Sequence, residues 1–233
     1  MKKFLMLLLT AGLAMVLAAC GNESSEEEAA PTEPAQQAQE PVEISEEEEV
    51  AEDTSVAAVN DTEITGEKYN PVYLQVKTQL SQSGQDVSDL QQVRELTLNL
   101  LVEEELILQD AAEKGIEVTD EEVQSQLDLI KEQTGEELTA VLEQLRLTEE
   151  QFKAQLTDDL TTSKYMDSEF EVEVTDEEVQ EFYDQLQEQG SEVGELGQME
   201  DLIREQLTMN KTQQLLADRV VELKENADVK MLI

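Results

Sequence analysis

The sequence predicts a mainly α-helical domain over residues 56–233, with a small β-sheet built from an N-terminal hairpin and a C-terminal strand. Three observations lead there. Helix-start signals of the form Ser/Thr-x-x-Glu/Gln recur along the chain. Gly115, Gly135 and Gly190 stand where the patterned stretches should stop. Short β-prone runs lie only at the two ends of the segment.

Taken in order, Val56–Val59 is the first β-prone run, Asn60 and Asp61 carry turn chemistry, and Thr62–Ile64 returns as a second strand. Thr65 is placed to cap a helix to about Ser83, with Pro71 near its first turn or kinking it. Ser88 and Gln91 have capping-box spacing and open a long helix to about Lys114. Thr119 with Glu122 opens another to Gly135, and Glu136–Leu145 is a short one. Thr148 with Gln151 starts a helix to about Phe170, and Thr175 with Glu178 starts one to Gly190. A last long helix runs from about Met199 to Asn226, and Asp228–Ile233 closes as a strand.

The helix from Ser88 is expected at the centre. Leu90, Val93, Leu96, Leu98, Leu100, Leu101, Val102 and Leu106–Leu108 cover most of its circumference, which a helix does when buried on several sides. Glu103, Glu104 and Glu105 require one flank to reach water. Its neighbours carry one-sided stripes, such as Val123, Leu127 and Ile130, or Leu215, Val220 and Leu223. Residues 116–124 and 172–180 nearly repeat one another, and both read as the same strong helix start with acids in the first turn.

Residues 1–19 read as a signal peptide. Lys2 and Lys3 precede an apolar run, and small residues lead to Cys20. The run Phe4–Ala19 is shorter than the roughly 20 residues of a spanning helix, which argues against an uncleaved membrane anchor. The ending Leu17-Ala18-Ala19-Cys20 resembles the bacterial lipoprotein lipobox. That resemblance implies cleavage between Ala19 and Cys20 and lipid attached to Cys20; two or more acyl chains hold a protein stably on a membrane. Residues 20–55 are rich in Glu, Ala, Gln, Ser and Pro, contain no Lys or Arg, and are expected to form an acidic disordered tether.

The formal charge is −41, from 56 acidic and 15 basic residues. Such a field repels nucleic acid and anionic surfaces, so no nucleic-acid partner is expected. There is no histidine, and Cys20 is the single cysteine. The commonest general base and any thiol nucleophile in the body are therefore missing, and neither catalytic residues nor a cofactor are expected. Asp120, Glu121 and Glu122, or Asp176, Glu177 and Glu178, could attract Ca²⁺. They lack calcium-loop spacing, and solvated first-turn acids are the expected reading, with no metal assigned.

Residues 56–65 resemble the opening of the SurA-type chaperone domain, which periplasmic SurA shares with the PrsA foldase lipoproteins. The likeness continues through Leu100–Val123, Leu147–Leu156, Val174–Tyr183 and the helix from Ile203 to Glu225 with its terminal strand. In foldases of that family a parvulin prolyl-isomerase domain interrupts the chain before the last helix. Here the gap runs only from Asp184 to about Gln198. The resemblance thus implies a helical chaperone domain without isomerase activity, an extracytoplasmic, membrane-anchored place, and unfolded or partly folded exported proteins as partners. A module binding one specific envelope partner is the alternative, since fold does not fix function. An apolar groove with an acidic rim is the expected site, its residues unassigned.

Overall fold

A computed structural model of the protein describes residues 42, 44–135, 137–188 and 194–233. The signal peptide, Ala19 and Cys20 lie outside the described residues. Seven helices and three strands follow in the expected order. They are β1 (Ser55–Val59), β2 (Thr62–Thr65), α1 (Gly66–Gln82), α2 (Leu90–Glu113), α3 (Asp120–Thr134), α4 (Glu137–Gln144), α5 (Glu149–Glu169), α6 (Asp176–Glu188), α7 (Leu196–Asn226) and β3 (Val229–Met231).

The sheet has the order β2-β1-β3 and is antiparallel throughout, with Ala57 opposite both Ile64 and Met231. Asn60 makes the turn at φ 54°, a left-handed conformation that Asn tolerates better than most residues. It also joins distant segments. Its N–H donates to the Asp228 carbonyl at 2.8 Å, the Asp228 N–H donates to Asn60 Oδ1 at 3.0 Å, and Asn60 Nδ2 donates to Gln109 Oε1 at 2.7 Å. One turn residue thereby holds the hairpin, the closing strand and α2 together.

The helix starts follow local chemistry. Thr119 and Thr148 form capping boxes with Glu122 and Gln151, and Thr175 exchanges the same bonds with Glu178. At α2 the side-chain acceptor is Asp89 rather than Ser88, its carboxylate taking the Gln92 N–H at 3.2 Å. At α1, Thr65 occupies the cap position but its side chain does not cap. The carbonyls of Thr54 and Glu52 accept the Gly66 and Glu67 N–H groups instead, at 2.9 and 3.1 Å. That crossing explains Gly66: a Cβ there would stand 2.2 Å from the Ala51 carbonyl oxygen.

Four apolar clusters organise the packing. The first joins β1, β2, α1 and the front half of α2 around Val56, Tyr69, Val93 and Leu101. The second is a hub where Ile107 and Ala111 of α2 meet Tyr165 of α5 and Val220 of α7. The third closes an arm of α3, α4 and the start of α5 around Val123, Leu127, Leu142 and Leu156. The fourth closes an arm of α6 and the first half of α7 around Val179, Tyr183 and Ile203. As expected, α2 is central and touches α1, β1, α5 and α7. Two details differ. Leu96 and Leu100 stay 42% and 48% exposed, because α7 covers that face of α2 only farther along, at Ile107 and Ala111. On α7 the packed stripe is Leu216, Val220 and Leu223, while Leu215 faces out.

The packed body also begins earlier than Val56. Ile44 is buried in the first cluster, with Val42 and Val50 against it. The sequence placed these residues in the tether because acids surround them; sparse apolar residues at 42, 44 and 50 suffice to seat the segment on α1.

Candidate functional site

Chain laid across a helix leaves a hollow where the two part, and that happens beside α1. Asn70 clamps the incoming segment: its Oδ1 accepts from the Val50 N–H at 3.0 Å, and its Nδ2 donates to the Val50 carbonyl at 2.7 Å. Glu48 anchors it from inside. Its carboxylate accepts from Lys77 Nζ at 2.5 Å, from Tyr73 Oη at 2.9 Å, and from the Ser45 N–H and Oγ at 2.8 and 2.7 Å. Burial alone would raise the Glu48 pKa, but these donors, Lys77 first, outweigh it and hold the carboxyl at about 2.

The opposite wall is the turn between α4 and α5. Leu147 N–H reaches the Leu142 carbonyl at 2.9 Å and Arg146 N–H reaches Glu143 at 3.2 Å, a helix stop in which Arg146 takes the left-handed position at φ 55°. Glycine usually fills that position, and Gly84 and Gly115 do so at the ends of α1 and α2. A long side chain there carries backbone strain, which points to a role for Arg146 beyond stopping the helix.

Between these walls lie two open hollows, of about 200 and 70 Å³, which share Ile44, Leu74, Leu145 and Arg146. They form one cleft. Ile44 and Leu74, both buried, and Leu145, half-buried, form an apolar strip in its floor, within a lining that is otherwise mostly polar. Its rim is acidic: Glu49, Glu52, Glu67 and Glu143 all line it, against the single cation Arg146. None of these five charged groups belongs to an ion pair among the described residues, although Lys and Arg side chains elsewhere are mostly paired.

The remaining buried charges tie helices together. Asp110 accepts from Arg219 Nε and Nη2 at 3.1 and 2.9 Å and from the Tyr165 hydroxyl, which locks α2, α5 and α7 at the hub. Burial works against the Asp110 carboxylate, yet Arg219 and Tyr165 prevail and lower its pKa; burial and the Asp110 charge push Tyr165 up to about 12. Lys68 bridges Glu104 at 2.9 Å and Asp158 at 2.8 Å, joining α1, α2 and α5.

The acids weighed as calcium ligands sit in the first turns of α3 and α6. Glu122 and Glu178 are taken up by their capping boxes and by lysines, Lys164 at 2.7 Å and Lys211 at 2.6 Å. Among the described residues no three His, Cys, Asp or Glu side chains stand together as a metal site, and no helix is long and apolar enough to cross a membrane. The cleft residues Ile44, Glu49, Glu52 and Arg146 were invisible to the sequence reading. The signal that could have found the segment is the isolated trio Val42, Ile44 and Val50 within a polar stretch.

No curated protein matches the chain. Among solved structures, the SurA-like chaperones of Campylobacter jejuni, described as the virulence factor PEB4 and the periplasmic protein Cj1289, share the fold. The match has a TM-score of 0.50 at 14% identity and covers 77% of this chain and 99% of the other. The SurA-like N-terminal domain family matches residues 43–166, which span β1 to the hub end of α5 and take in all of the cleft lining but Val42. That match begins where the packed body begins, at the segment seated on α1, and covers more than half of the chain: this protein belongs to the SurA-like N-terminal domain family.

Proposed function

We propose that the protein is an extracytoplasmic holdase, an ATP-independent chaperone that keeps exported proteins from aggregating and is held on the membrane through lipid on Cys20. Membership of a chaperone-domain family supports a chaperone-type function. The observation that carries the finer reading is the open cleft, with an apolar strip in its floor to grip a non-native chain and an acidic rim to keep the complex in solution. Cleavage between Ala19 and Cys20 would leave the lipidated cysteine first, and the acidic stretch behind it would give the body reach. The proposal includes no isomerase activity. The connection from Glu188 of α6 to Leu196 of α7 is too short for an inserted catalytic domain.

Two measurements test this. The chain should suppress aggregation of several unrelated unfolded proteins without nucleotide; no suppression at several-fold molar excess would sink the holdase reading. Recovery of one stoichiometric partner from membranes would favour the single-partner module instead. Cys20→Ser should move the protein from the membrane fraction to the soluble one, and an unchanged distribution would remove the anchor.

A further inference from the structure

We propose that the cleft between α1 and the α4–α5 turn selects cationic client segments, seating a Lys or Arg side chain whose neighbours in the extended segment are apolar. The inference rests on the holdase reading and names what the site prefers.

The argument is charge complementarity over an apolar strip of floor. Ile44, Leu74 and Leu145 offer a surface for an aliphatic stem, and a lysine or arginine buries such a stem while keeping its charge at the rim. Around that floor stand Glu49, Glu52, Glu67 and Glu143, all exposed and none in an ion pair among the described residues. Unpaired carboxylates at a concave site concentrate cations and repel anions. The protein's total charge of −41 acts in the same direction at longer range. Arg146, held at the rim in a strained conformation, opposes the carboxylates and weakens the site. Removing it should therefore strengthen binding, an outcome that a purely structural residue would not produce.

The test uses the full chain in detergent and labelled peptides of equal length in which Leu alternates with Lys, Ser or Glu, followed by fluorescence anisotropy. The Lys peptide should bind roughly tenfold tighter than the Ser peptide at low salt, with the gap closing as salt screens the rim. Glu67→Gln with Glu143→Gln, one from each wall, should abolish most of that preference. Asp201→Asn with Glu205→Gln removes the same charge from the exposed face of α7 and should leave the preference intact. Arg146→Gly should tighten Lys-peptide binding. Equal binding of the Lys and Ser peptides overturns the proposal. So does equal loss in the two double variants, which would assign the effect to net charge alone. If the chain still suppresses aggregation of unfolded proteins in either of those cases, the holdase reading stands and only the cleft assignment falls.

Discussion

Single buried polar groups decide how the N-terminal segment is held. Glu48 is nearly fully buried and satisfied by four donors, whereas the fully buried hydroxyl of Tyr69 makes no hydrogen bond of ordinary geometry among the described residues and interacts only with the nearby Arg94 guanidinium. These two cases predict different responses. Glu48→Ala removes the buried carboxylate on which Lys77, Tyr73 and Ser45 converge and should cost about 2 kcal/mol in denaturant unfolding. Tyr69→Phe removes a hydroxyl held only by a loose contact with Arg94 and should change stability by less than about 1 kcal/mol. A loss as large as that of Glu48→Ala would show that the hydroxyl is held more firmly than that. The depressed Glu48 pKa sets the pH window. Its contribution is complete above the ordinary carboxylate value of 4.5 and is lost as pH falls through about 2. The stability difference between wild type and Glu48→Ala should therefore shrink steadily as pH falls from 4.5 through about 2. None of this was legible in the sequence, where Glu48 is one of four consecutive glutamates. Which of the four turns inward depends on Lys77 and Tyr73, which are 29 and 25 residues away.

Elements were far more legible, because caps are local. The capping boxes at Thr119, Thr148 and Thr175 need only residues three apart, and all three form. The near-repeat of residues 116–124 in 172–180 goes further in space. Lys164 of α5 donates to the Glu117 carbonyl at 2.9 Å and pairs with Glu122; Lys211 of α7 donates to the Glu173 carbonyl at 2.8 Å and pairs with Glu178. The same nine-residue pattern thus receives the same lysine clasp from the next long helix in each arm. Lys164 with the Thr119 N–H, and Lys211 with the Thr175 N–H, hold both glutamates at about 2. Lys164→Met should speed amide hydrogen exchange in α3 and spare α6, and Lys211→Met should do the reverse. Equal effects on both helices from either variant would contradict separate clasps. The motif announced the caps, but Lys211 and Lys164 come from 33 and 42 residues beyond the glutamates they pair with and could not be read beside it.

At the scale of the whole molecule, two long-range effects dominate. The first and last strands meet: β3 pairs with β1, and Asn60 bonds Asp228 across 168 residues. Deleting Asp228–Ile233 should lower the melting temperature of the entire body in one cooperative step, and an unchanged melt would refute that. The second effect is self-repulsion. A formal charge of −41 opposes the compact state at neutral pH. Added salt, or acidification from pH 7 to about 5, should raise the melting temperature. Below the ordinary carboxylate range the sign reverses, as Glu48, Glu122, Glu178 and Asp110 begin to lose their donors' advantage. A melting temperature indifferent to salt at pH 7 would count against this balance.

The sequence by itself determined the helix order, the capping boxes at Thr119, Thr148 and Thr175, the end strands, the chaperone-domain resemblance and the excess of acid, since each rests on neighbours in the chain or on composition. Tertiary structure alone decided where the body starts, which glutamate is buried, why Gly66 must lack a side chain, and that four carboxylates with no ion pair among the described residues line one cleft beside Arg146. Those outcomes depend on residues brought together from distant parts of the chain. A cleft is defined by the space its walls leave between them, and that space has no counterpart along the sequence.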